Sequence, residues 1–76
     1  MKINAIIKQI LKDTKQRPST IANAEGISPQ LVNYRLSRDN MTVESAIQML
    51  SGCGYKLVAI PKGSPVPKNG YEIGAD

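Results

Sequence analysis

The chain has 76 residues, 41% of them hydrophobic, with a single cysteine, no histidine and a net charge of +4. That is the size of one small domain, which buries little surface alone and would gain from a second copy. No apolar run approaches the roughly 20 residues of a membrane span, and no signal peptide is visible. One Cys and no His exclude a zinc cluster and a His-activated nucleophile, and the acids are scattered, so neither an enzyme nor a cofactor is expected. The lone Cys53 points to a reducing, cytoplasmic compartment, and its simplest role is that of a small buried hydrophobe.

In chain order, Ile3, Ile6, Ile7, Ile10 and Leu11 recur at helical spacing and predict an amphipathic helix from about Lys2 to Thr14. Lys2, Lys8, Lys12 and Asp13 fall on its other faces. After Lys15-Gln16-Arg17, Pro18 opens a second helix, Ser19 to Glu25, at a position where its missing N–H is harmless. Gly26-Ile27-Ser28 is the turn: Gly26 accepts a positive φ at little cost, and Ser28 caps the next helix with its hydroxyl. Pro29 to about Ser37 is the third helix. A helix stopped by Gly and restarted at once by Ser-Pro must change direction sharply, the geometry of a helix-turn-helix.

Ser37-Arg38-Asp39-Asn40 is a turn rich in residues that hydrogen-bond their own backbone. Thr42 caps a fourth helix with Glu44 in its first turn. Val43, Ala46, Ile47 and Leu50 form its expected inner stripe, with Met49 beside it, and Gly52-Cys53-Gly54 ends it. Tyr55 to Ile60, bounded by Gly54 and Pro61, reads as a short β-strand. Its partner is either Tyr71-Glu72-Ile73, returning as a hairpin, or the same strand of a second subunit. The second arrangement makes Tyr55, Leu57, Val58 and Ile60 candidate dimer contacts. Residues 61–76 form a Pro/Gly-rich loop and C-terminal extension to the domain of residues 1–60, with frayed last residues.

The spacing of Ala22, Gly26 and Val32, with the flanking helices and the RDN turn, resembles the lambda-repressor/Cro-like (XRE) family of DNA-binding domains, over roughly Ile3 to Lys62. The resemblance implies a mainly α domain of four to five helices, closed by a short C-terminal strand or hairpin. The third helix is then the recognition helix, whose N-terminal residues meet base edges in the major groove. Gln30 and Asn33 carry amides that match adenine's N6 and N7, and Tyr34 suits the backbone or a thymine methyl. Arg35 and Arg38 would meet phosphates. Arg17, Ser19 and Ser28 complete the candidate set around the helix starts, which attract phosphate. Three positions depart from the family pattern. Pro18 stands where a phosphate-touching Gln is common, and Glu25 and Arg35 stand where apolar residues are common.

Charge is distributed in keeping with this. Residues 1–38 hold seven cations against Asp13 and Glu25, a net +5, whereas residues 39–76 are net −1. A polyanionic partner for the first half follows. The expected function is sequence-specific binding of double-stranded DNA by a small repressor of phage or prophage type, cytoplasmic and nucleoid-associated, acting as a homodimer on a palindromic operator. The alternatives are an antitoxin-type autoregulator whose C-terminal tail orders on a protein partner, and an antirepressor or adaptor that has lost DNA binding.

Overall fold

The computed structural model describes residues 1–74. Among these there are four helices, α1 (Ile3–Asp13), α2 (Pro18–Glu25), α3 (Pro29–Ser37) and α4 (Val43–Gly52), and no strand. The domain is mainly α, as the periodicity predicts.

The helices begin and end where the local chemistry dictates. The Ser28 hydroxyl accepts from the Leu31 N–H at 3.1 Å and caps α3; Thr42 does the same for α4 through the Ser45 N–H at 3.1 Å. Gly26 closes α2 in the left-handed region at φ 66°, and its N–H and that of Ile27 both reach the Ala22 carbonyl. At the end of α1, Thr14 turns both its N–H and its hydroxyl onto the Ile10 carbonyl, at 2.9 and 2.6 Å. Gln16 then donates to the Cys53 carbonyl at 3.1 Å, tying the α1–α2 connection to the end of α4.

The core takes the α1 stripe of Ile6, Ile7, Ile10 and Leu11, Ile21 and Ala22 from α2, Val32 and Leu36 from α3, and Met49 and Leu50 from α4, with Cys53 just after it. Burial raises the pKa of the Cys53 thiol, and its Sγ lies 3.4 Å from the Leu50 carbonyl. Asn4, which shares α1 with that stripe, is also buried and donates its Nδ2 to the Leu36 carbonyl at 3.3 Å. Its Oδ1 has no partner.

Two expectations are corrected. The inner face of α4 is Ala46, Met49 and Leu50, continued by Cys53; Val43 and Ile47 are exposed, at 61% and 49%. The sequence contains two overlapping stripes, and the roll of the helix is set by Gly52. A Cβ there would lie 2.8 Å from Ile21 Cγ2 and 3.0 Å from Ile21 Cα, so the backbone of α4 rests directly on α2. That contact turns Met49 inward and Val43 outward.

The second correction concerns the C-terminal strand. Residues Tyr55–Ile60 are in no strand, because no ladder partner lies beside them. The chain does fold back, as expected for residues 71–73, but side chains hold it there. The Tyr55 and Tyr71 rings lie 6.1 Å apart, Tyr55 donates its hydroxyl proton to the Asn69 carbonyl at 3.2 Å, and Tyr71 donates to Asp13 Oδ2 at 2.6 Å. The Gly74 N–H reaches the Met1 carbonyl at 2.9 Å, so the frayed end expected for the last residues does not begin before Gly74. Ala75 and Asp76, which complete the expected extension, lie outside the described residues. Of the four candidate dimer contacts, Tyr55 and Leu57 pack against the core, whereas Val58 and Ile60 are exposed.

Gly26→Val should lower stability by about 1–2 kcal/mol, since a β-branched residue resists positive φ. Nothing crowds that position, so the loss comes from the backbone alone. Gly52→Ala should also destabilise, by about 1–3 kcal/mol, although alanine is the better helix former, because the added methyl overpacks the α2–α4 contact. Thermal melts check both, and an unchanged or raised Tm for Gly52→Ala contradicts the backbone contact.

The Tyr71 hydroxyl, with Gln9 adding a second hydrogen bond, holds the Asp13 carboxyl below its usual 3.8, while Asp13 pushes Tyr71 up to about 12. Because the folded pKa of Asp13 is depressed, the contact favours the fold above that carboxyl's ordinary pKa and is lost as pH falls through the lowered value. The raised Tyr71 value sets the other limit: the contact persists below pH 10 and is lost as pH rises through about 12. Carboxyl-detected NMR titration should show the Asp13 midpoint below 3.8, moving up toward it in Tyr71→Phe.

Candidate nucleic-acid interface

The unit α2–Gly26-Ile27-Ser28–α3 stands at the surface with the outer side of α3 uncovered. Val32 and Leu36 anchor α3 inward, and Ile27 packs against the core, which holds the turn in place. Helical spacing then sets Gln30 and Tyr34 one turn apart, and Asn33 and Ser37 one turn apart beside them. All four are exposed, Tyr34 at 57%. Gln30 lies in the first turn of α3, where side chains project past the helix start.

Four of the predicted site residues have a structural partner. Ser28 is committed as the cap of α3. Arg38 folds back over Tyr34: its guanidinium carbon lies 5.3 Å from the ring centroid and its Nη1 donates to the Tyr34 hydroxyl at 3.0 Å. The pair forms one exposed cationic and aromatic platform at the end of α3. Arg35 turns the other way, donating its Nη1 to Gln48 Oε1 at 2.9 Å in a half-buried contact that ties α3 to α4. It is therefore set apart from the exposed row of Gln30, Asn33, Tyr34 and Arg38. Arg17 and Ser19 stand exposed around Pro18 at the start of α2.

The structure adds two cations to this surface. Lys8 and Lys12, one turn apart on α1, line a shallow groove together with Gln16, Pro18, Asn33 and Ser37, floored by Leu11 and Leu36. Sequence alone shows them as solvated lysines. Their i, i+4 spacing was the available signal, but the packing of α1 beside α3 was needed to place them next to Asn33. Two of the nearby acids are engaged by other side chains. Asp39 pairs with Lys2 at 3.4 Å, and Asp13 is engaged by Tyr71. The Glu25 stem lies against Gly52, which accounts for a charged residue at that place in α2. The result is a surface of exposed amide, hydroxyl and aromatic groups, flanked by Lys8, Lys12, Arg17 and Arg38. Among the described residues, no group of three or more His, Cys, Asp or Glu is placed to hold a metal ion, and no helix is long and apolar enough to cross a membrane.

Neither a family model, nor a curated protein, nor a solved structure matches the chain.

If Arg35 serves the α3–α4 contact, Arg35→Ala and Gln48→Ala should each cost about 0.5–1.5 kcal/mol, and the double variant should cost less than their sum. Strict additivity in a denaturation cycle contradicts the pairing.

Proposed function

We propose that the chain binds double-stranded DNA sequence-specifically and acts as a small transcriptional regulator, most simply a repressor. The observation that carries this reading is the exposed row of Gln30, Asn33 and Tyr34 on a helix that follows a three-residue turn, bordered by cations on both sides. The α2–α3 pair then works as a helix-turn-helix of the lambda-repressor/Cro type, with α3 in the major groove. Gln30 and Asn33 offer donor and acceptor together to base edges, and adenine is the base that such an amide suits. The Tyr34–Arg38 platform sits at the far end of α3, at the edge of the groove. Arg38, Arg17, Lys8 and Lys12 neutralise phosphates and set the register, while carrying no sequence information themselves. Ser19 and the free amides at the start of α2 add to that positioning.

A palindromic operator requires two copies, spaced so that their α3 helices enter successive major grooves about 34 Å apart. The exposed Val43 and Ile47 of α4 are apolar surface open to a second copy. Repression follows from occupancy of promoter DNA. The reading in which the C-terminal tail orders on a protein partner has less support, since residues 71–74 already pack back on the domain through Tyr71 and Gly74.

Binding should fall steeply with salt. Four phosphate contacts per subunit correspond to a slope of about −3 to −4 in log K against log salt. Arg38→Ala and Lys12→Gln should each weaken all duplexes alike and reduce the slope by about 1 for each subunit bound. Gln30→Ala should cost about 1–3 kcal/mol at one base-pair position and relax preference there. Fluorescence-anisotropy titrations of duplexes varied one position at a time test this. Unchanged preference in Gln30→Ala contradicts the placement of α3, and salt-independent binding contradicts the phosphate contacts.

A further inference from the structure

A second site lies away from the α3 surface. The segment after α4 loops out and returns through Tyr71, and between it and the helices opens a cleft of about 660 Å³. That is within the size range of small-molecule sites, roughly 300–1,000 Å³. Its floor is the apolar side of α1, Ile3, Ile6 and Ile10, with Leu50; Leu57 and Ile73 stand on its walls. The walls are fastened. Tyr71 is held by Asp13, Tyr55 by Asn69, and the two rings lie against each other. The polar complement is one-sided. Lys56, Lys62 and Lys68 all line the cleft against the single acid Glu72, and none of the three lysines has an ion-pair partner among the described residues.

We propose that this cleft binds a small anionic amphiphile, a molecule with an aliphatic body and one carboxylate head. The body takes the place of water over Ile3, Ile6 and Ile10, and the head meets the lysines at the rim. Charge decides among the occupants that an apolar cleft would accept. With three lysines against Glu72 the lining is net +2, which favours an anionic head over a neutral or cationic one, and a second copy of this chain brings the same net positive charge toward it. The proposal does not depend on the DNA-binding reading, because no residue of the α3 surface lines the cleft.

The test is isothermal titration calorimetry of the full chain with laurate below its micellar concentration, with dodecyltrimethylammonium and dodecanol as comparisons. Sedimentation velocity with and without laurate accompanies it. One laurate per chain should bind, and the cationic amphiphile should bind at least about tenfold more weakly. The triple variant Lys56→Gln, Lys62→Gln, Lys68→Gln should lose about tenfold in laurate affinity at unchanged Tm. Val58→Glu with Ile60→Glu, at exposed positions that line the cleft, should abolish binding while the far-ultraviolet spectrum stays helical. Any of four results overturns the proposal: no binding heat from folded protein, many laurates per chain, equal affinity for the three head groups, or a dimer that the glutamate variant splits and laurate leaves intact. The last assigns the cleft to a second copy.

Discussion

The contact between α2 and α4 at Gly52 governs much of what the rest of the molecule presents. Ile21 is fully buried and meets bare backbone there, with no room for even a methyl group. Contact this close fixes the roll of α4 about its axis, since a packed interior tolerates little slack. With the roll set, Met49 and Leu50 enter the core, Val43 and Ile47 face out, and Gln48 reaches Arg35. Arg35 then steadies one side of α3, while Asn4 steadies its C-terminal end through the Leu36 carbonyl. The left-handed Gly26 and the Ser28 cap hold the other end. α3 is thus fixed by contacts on its inner and lateral sides, and its outer row is left to make contacts elsewhere. A reading helix needs that division, because a side chain can select among bases only if its backbone is already placed.

What was legible in the sequence follows from how local the determining physics is. Caps and turns are set by a few adjacent residues, so Gly26, Ser28, Pro29 and Thr42 announced the helix boundaries closely. The α1 stripe was equally plain, because five aliphatic residues at helical spacing allow one inward face. α4 was misjudged because Val43, Ala46, Ile47, Met49, Leu50 and Cys53 permit two stripes about one residue apart. The choice between them rests on Gly52, which looked like a helix stop. The expected strand is absent from the described residues of the single chain for a related reason. Tyr55 to Ile60 has β-prone composition, but a strand exists only with a ladder partner, and residues 71–74 return through side-chain contacts and the Met1 carbonyl instead. Asn4 had no local signal, and Lys8 and Lys12 had only their i, i+4 spacing. Their roles arise where α1 meets α3, and the sequence does not state that juxtaposition.

The proposed interface divides its labour in space. In this reading the amides that would discriminate among bases stand on α3, and the cations that would meet phosphate come from α1, from the start of α2 and from Arg38. The charge contacts act at long range, are screened by salt and are indifferent to sequence. The amide contacts act at short range and cost most when the wrong base leaves them unpaired. Pairing with Lys2 offsets the charge of Asp39, whereas Asp13 keeps its charge under the hydrogen bond from Tyr71, and Arg35 contributes by bracing α3. Of the seven cations in residues 1–38, Lys8, Lys12, Arg17 and Arg38 stand around this surface, while Lys2 pairs with Asp39 and Arg35 with Gln48.

The most direct test of the central claim, that α3 reads DNA, is selection of binding sites from a random pool of duplexes. The account requires an enriched motif whose position of strongest preference is lost when the selection is repeated with Gln30→Ala. A palindrome would in addition give the distance between two recognition helices from its half-site spacing. Folded protein that enriches nothing and shows weak, salt-sensitive binding to every duplex would contradict the claim, leaving the cations around α3 as a surface without a sequence to read.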